Sequence, residues 1–335
     1  MEKLYEVALN LYQKITTTNE WTFEDYTLFN NIYHVLATAG YAHIIKLKDI
    51  IMADSEYNKV VKPKMIEKRE DTDKLFRQFY LDIGTRVLDI FEQYFDEDKI
   101  VLTDYSDTIS FDKAKKMINK YYHKVDPKND SDIKNTLLSD RIFLRSISKY
   151  VTVHDEGCAV TLDDEQYVSV VKRHDDDLID IHAVIALVHE LGHSIGLKNS
   201  TTGVDDCYSP FREVIAKTHE FAFCKCHSKE SDEYKIHFLP ELFILNSTTT
   251  DLYDNSKNSY TSEPYTLGIY VGLYLSHLYM NDRNKFKYLY NEIKKYIFTS
   301  EESKIFDLLL QEKEIKTGEF LKREIEETQK ILIKK

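Results

Sequence analysis

Apolar residues recur at helical spacing along most of the chain. Leu4, Val7, Ala8 and Leu11 mark one face of a first helix. Trp21 to about Asp54 reads as one long helical stretch with a kink near Gly40, and Pro63 separates it from residues 64–96. There Leu75, Phe76, Phe79, Ile83, Val87, Leu88 and Phe91 make an apolar stripe of the kind that faces a core. Ser110 is placed to cap a further helix opening at Phe111-Asp-Lys-Ala-Lys-Lys-Met-Ile, and Asp126-Pro-Lys-Asn-Asp-Ser-Asp is a polar turn. After Tyr150 the period changes. Tyr150–His154, Ala159–Leu162 and Gln166–Lys172 are β-branched and aromatic, which predicts two or three short antiparallel strands. A charged loop at His174–Asp177 leads into Ala183–Leu197, where Val184, Leu187, Val188, Leu191 and Ile195 predict a buried helix. The helical pattern resumes at Pro210. It continues through a polar insert near residues 246–260 and a tyrosine-rich helix after Pro264 to an amphipathic tail from about Arg283 to Lys335. The expected fold is mainly α, with a small antiparallel β-sheet beside the helix at 183–197.

That helix contains His189-Glu190-Leu191-Gly192-His193, a His-Glu-x-x-His motif. The two histidines are four residues apart, so their imidazoles lie on one face a turn apart. This spacing suits two nitrogens bonding one Zn²⁺ at about 2.0–2.1 Å. Glu190 projects beside that face, where a carboxylate can take a proton from an activated water. Zinc hydrolases commonly use a third protein ligand. Glu213 follows His193 by twenty residues, one turn into a helix that Pro210 opens. Helix, loop and return helix can bring such a glutamate to the metal, and Glu220, two turns further on the same face, can hold a ligand histidine through its second nitrogen. In the tyrosine-rich helix, Tyr270, Tyr274 and His277 share a face, and Gly268 and Gly272 lie four apart and permit close packing. Most of these tyrosines read as core, while one hydroxyl could serve as donor to an oxyanion.

Composition narrows the picture. A formal net charge of -12 argues against nucleic acid or an anionic membrane as partner. The 9 glycines and 5 prolines among 335 residues fit a helical protein. The 4 cysteines (Cys158, Cys207, Cys224 and Cys226) show no disulfide spacing. The opening Met-Glu-Lys-Leu-Tyr-Glu-Val carries acids early and is no signal peptide, and no run of about 18 apolar residues exists, so a cytoplasmic location is expected.

The sequence resembles the thimet oligopeptidase and oligoendopeptidase F family of zinc metallopeptidases over roughly residues 95–330. Leu187-Val-His-Glu-Leu-Gly-His-Ser is very near the family's zinc helix. Leu162-Asp-Asp-Glu-Gln-Tyr-Val-Ser-Val-Val stands where the family has its strand before that helix, and Phe211-Arg-Glu-Val-Ile-Ala-Lys-Thr-His-Glu220 where it has its third ligand. Tyr265-Thr-Leu-Gly268 is similar to the segment near its substrate-binding tyrosines, and Phe111-Asp-Lys-Ala-Lys-Lys-Met-Ile to the helix before its strands. The resemblance implies a zincin-type helical metallopeptidase. One zinc ion per chain would be held by His189, His193 and Glu213, with Glu190 as base, a substrate-facing tyrosine among Tyr265, Tyr270 and Tyr274, and a peptide as substrate. Residues 1–95 would be an N-terminal helical region forming part of a channel wall, and residues 96–335 the catalytic region. Departures are Gly196, where the family usually has a third histidine, Lys217 in place of its serine, and a chain shorter than typical members. Two rivals to an endopeptidase of short peptides are a selective protease cutting one exposed loop and a catalytically silent peptide-binding homologue. The complete motif argues against the latter.

Overall fold

The computed structural model describes residues 1–18, 21–53, 83–96, 107–147, 156–173, 177–198, 209–253, 263–299 and 301–332, together with residues 59, 63, 74, 77 and 79. The expected strand at Tyr150–His154, Leu75 and Phe76 of the apolar stripe, and Cys207 lie outside the described residues. The structure is mainly helical with small sheets. The chain divides into two compact units. One is Met1–Glu70 with Thr108–Asp205, and the other is Asp71–Asp107 with Asp206–Lys335. The chain leaves the first unit and returns to it, a route that local periodicity does not encode.

In the first unit, α1 (Glu2–Thr17) packs on α2 (Phe23–Thr38), burying Leu4, Ala8 and Ile15. Thr22 caps α2 by accepting from the Asp25 backbone N–H, and Asp25 returns the bond to the Thr22 N–H at 2.8 Å. The long stretch expected from Trp21 to Asp54 is two helices rather than one kinked helix. Gly40 takes φ +93 and turns the chain into α3 (Ala42–Ala53); a left-handed backbone of this kind ends a helix and favours glycine.

Strand β1 (Thr108–Ser110) runs antiparallel to β5 (Leu178–Asp180). Between them come α5 (Phe111–Val125), capped by Ser110 as expected, and α6 (Asp130–Leu138). The second sheet has the order β2-β4-β3, with β2 Ile142–Ser146, β3 Gly157–Leu162 and β4 Glu165–Lys172. β3 and β4 form a hairpin in register Leu162 to Glu165, closed by Asp163 and Asp164 at φ 50 and 61. Positive φ at both central residues is the type I′ geometry whose twist matches the flanking strands. β2 pairs with β4 in parallel, so the sheet is mixed and not the antiparallel sheet expected. Helical periodicity is expected up to about residue 150, and Ile-Phe-Leu-Arg-Ser is too short to show alternation against it. β4 is buried along nearly its whole length, and both α2 and α7 (Ile181–Leu197) pack on β3 and β4. A strand covered on both faces reads as a continuous apolar run, here Val168, Val170 and Val171.

In the second unit, α4 (83–94) buries Ile83, Val87 and Phe91 from the expected stripe. α8 (Arg212–His227) and α11 (Glu263–Asn281) form the most extensive helix pair. Around them lie α9 (Glu233–Ile236), α10 (Phe238–Tyr253), α12 (Arg283–Tyr296), α13 (Ser303–Gln311), α14 (Lys313–Thr317) and α15 (Glu319–Leu332). The two glycines singled out in the sequence are where α11 meets α8. A methyl group at Gly268 would lie 3.1 Å from the Glu213 carbonyl carbon and closer still to its Cβ; one at Gly272 would lie 2.8 Å from the Lys217 Cβ. Among the described residues no helix is long and apolar enough to cross a membrane.

Gly268→Ala should therefore force α11 away from α8. We expect a loss of about 1–3 kcal/mol, as for other overpacked contacts, seen as a lower denaturant midpoint. An unchanged midpoint would show that the helices do not meet as described.

Candidate metal centre

In the first unit the site is built on α7. Asp180 caps the helix, its Oδ1 accepting from the Ala183 N–H at 2.9 Å while its Oδ2 accepts from the Arg173 N–H at 2.9 Å. One carboxylate thus fixes both the first turn of α7 and the strand end before it. Tyr122 of α5 donates its hydroxyl to the Val188 carbonyl at 2.7 Å, one residue before His189. Burial, with Asp126 nearby, pushes that phenol well above its ordinary pKa, so it stays a donor. From β4, the Gln166 amide donates to the Ser194 carbonyl at 3.5 Å and accepts from the Thr136 hydroxyl at 3.1 Å. The helix is tied at its start, its middle and its last turns.

Of the 17 residues of α7, all are buried except His182, Ala186, His189 and His193. These four positions follow one another at i, i+4, i+7 and i+11, a single stripe along the helix. Solvent reaches this largely apolar helix along the stripe that carries the three histidines and Ala186. His189 and His193 bring their Nε2 atoms to 3.0 Å of one another, with the rings edge to face. Two nitrogens on one tetrahedral Zn²⁺ at about 2.0–2.1 Å stand about 3.3 Å apart, so a small ring rotation suits the pair to the ion. His182 is paired with Glu156, whose other oxygen is 3.6 Å from an Arg173 nitrogen.

Glu190 is 7% exposed and lies against β3: a methyl at Gly157 would be 2.7 Å from its Oε1. A side chain at the first residue of β3 would displace this carboxylate. The sequence reading missed Gly157, because nothing local marks a glycine whose empty space is used by a residue 33 positions later.

In the second unit Glu213 is in the first turn of α8 and is 2% exposed. Its Oε1 accepts from the Arg212 Nε at 3.2 Å, and a carboxylate in a first turn also faces the positive end of the helix dipole. Arg212 in turn is over the ring of Tyr265, 5.6 Å from its centroid. Arg212 was not singled out in the sequence, and its adjacency to Glu213 was the available signal. Glu220, expected as a support for a ligand histidine, belongs to another network. Its Oε1 is 2.7 Å from His237 Nε2 and 3.0 Å from the Lys217 Nζ, which also reaches Glu241 Oε2 at 2.7 Å. Glu220, His237 and Glu241 could geometrically hold an ion, but the Lys217 ammonium already supplies the positive charge there. Burial works against that ammonium, yet Glu220 and Glu241 outweigh it and hold its pKa well above the ordinary lysine value. Being raised, the pair's contribution to stability is complete below about pH 10 and is lost only as the pH rises through the folded-state pKa.

The three candidate tyrosines separate. Tyr270 is buried and donates to the Ile315 carbonyl at 2.6 Å, between the rings of Phe79 and Phe320. Tyr274 is buried and donates to Glu312 at 2.7 Å; burial and that carboxylate push its pKa far up. Both hydroxyls are engaged in the core, where they fasten α11 to α13–α15. His277, on the same face, pairs with Glu324 at 3.3 Å. Tyr265 is 41% exposed.

Tyr270→Phe and Tyr274→Phe should each cost about 0.5–1.5 kcal/mol of stability and leave any catalytic constant unchanged; a lowered kcat at an intact melting temperature would return them to the site. Lys217→Met takes the ammonium from two buried carboxylates, leaving Glu220 with His237, and should cost about 3–5 kcal/mol, measured as a fall in melting temperature. A neutral effect would show that the network is open to water.

No protein-family model matches the chain, and no curated protein matches it. Among solved structures, the crystal structure of a "putative peptidase" from Chlamydophila abortus aligns with 99% of this chain and 73% of its own, at 13% identity and a TM-score of 0.46.

Proposed function

We propose that the protein is a zinc-dependent endopeptidase of zincin type acting on short peptides. One zinc ion would be held by His189, His193 and Glu213, with Glu190 as general base. The observation that carries this reading is the accessible stripe of α7, which presents two converging imidazole nitrogens 3.0 Å apart beside a buried carboxylate. Two imidazoles and one carboxylate are also a donor set suited to catalytic zinc. When bound, zinc supplies Lewis-acid polarisation of a carbonyl and lowers the pKa of a water toward about 7. Glu190, kept from bulk solvent against Gly157, takes the proton of the attacking water and returns it to the leaving amine. Among the described residues β3 is an edge strand of its sheet, and an extended peptide pairing along it would pass Glu190. Tyr265 is the remaining candidate for hydrogen bonding to the oxyanion, since the hydroxyls of Tyr270 and Tyr274 are engaged in the core.

Elemental analysis of His193→Ala should show the zinc largely gone; a full equivalent retained would sink the ligand assignment. Glu190→Gln should keep the metal and lose hydrolysis of a quenched peptide library. Tyr265→Phe should lose about tenfold or more in kcat at an unchanged melting temperature. Normal turnover by Glu190→Gln would refute the mechanism, and normal turnover by Tyr265→Phe would move the oxyanion donor elsewhere.

A further inference from the structure

Glu213 follows Arg212 in the first turn of α8. The guanidinium meets the carboxylate through Nε, 3.2 Å from Oε1, and its Cζ lies over the ring of Tyr265, 5.6 Å from the centroid. The second contact depends on the close approach of α11 to α8. Tyr265 and Gly268 are three residues apart on one face of α11, and Gly268, lacking a side chain, rests on the backbone of Glu213. Arg212 is 19% exposed at its side chain and Glu213 3%, so this charge pair is largely withdrawn from water.

We propose that Arg212 is a positioning residue for the metal-binding carboxylate of Glu213, and that the ring of Tyr265 holds Arg212 in place; the inference rests on the zinc reading above. A glutamate side chain has three rotatable bonds and two equivalent oxygens. With Oε1 engaged by Arg212, the carboxylate is restrained to offer its second oxygen to the metal in one orientation, and the entropy of ordering it is spent before the ion arrives. Lysine cannot substitute. Its ammonium is a point charge without an edge for the carboxylate and a face for the ring. The tyrosine contributes here through its ring, whatever its hydroxyl does during turnover.

The test is the zinc dissociation constant by competition with a chromophoric chelator, with melting temperature followed in parallel. Arg212→Met should weaken zinc binding about 10–100-fold, as loss of an outer partner of a metal ligand does, and Arg212→Lys should not restore it. Tyr265→Phe keeps the ring and should bind zinc as the wild type does. Tyr265→Ala should weaken binding, and in the Arg212→Met background it should add nothing further. Raising free zinc should recover peptide hydrolysis by Arg212→Met, which a distorted fold would not permit. Because Tyr265 is half-exposed, Tyr265→Ala tests the same contact without disturbing the first turn of α8, should Arg212→Met fail to fold. Wild-type zinc affinity in Arg212→Met or in Tyr265→Ala, or additive losses in the double variant, would overturn the proposal. Glu213→Gln separates the two levels. If it binds zinc as tightly as the wild type, the ligand assignment fails and this inference with it. If it binds weakly while Arg212→Met binds normally, only the role of Arg212 fails.

Discussion

The placement of α7 is the constraint on which the first unit depends. A helix this apolar must be covered along most of its circumference, and the hairpin strands β3 and β4 do much of the covering. Polar groups then fix its position: Asp180 at the cap, Tyr122 at the Val188 carbonyl, Gln166 at the last turns. Each spends a hydrogen bond on a helix that burial already holds. Their combined effect is to set the rotation of the helix about its axis, and this rotation decides that the stripe left uncovered is the one carrying His182, His189 and His193. A turn of about 100° would bury the imidazoles and expose an apolar residue in their place.

In the second unit the same problem is solved by bringing backbones together. Gly268 and Gly272 let α11 lie on α8 at the level of Glu213 and Lys217, so two charged residues of α8 end up largely withdrawn from water. Each buried charge is then paired. Glu213 is matched by Arg212, and Lys217 by Glu220 and Glu241, with His237 completing that network. Removing one partner from such a pair costs far more than the pair contributes. The Lys217 network therefore keeps α8, α9's end and α10 in one arrangement. On the far face of α11, Tyr270 and Tyr274 tie the helix to the C-terminal segment. α11 thus has a side that positions Glu213 and a side that anchors the unit.

Much of this was legible in the sequence where one element carries the information. The i, i+4 histidines, the buried helix around them, the Ser110 cap, the short antiparallel strands β3 and β4 and the packing role of Gly268 and Gly272 all follow from spacing and residue type within a few turns of chain. What the sequence could not show required knowing what lies opposite. Tyr265, Tyr270 and Tyr274 belong to one helix, and only the positions of Ile315, Glu312 and Arg212 separate two core anchors from a half-exposed ring. Glu220 has the spacing of a support for a metal ligand, yet Lys217 and His237 are its neighbours. β2 has no alternation of its own and becomes a strand because β4 pairs with it in parallel. Gly157 matters because the carboxylate of Glu190 occupies the space it leaves. Periodicity reports the face a residue occupies on its own helix or strand. The chemistry of a buried polar side chain is decided by its partner, and partners distant along the chain are chosen by packing.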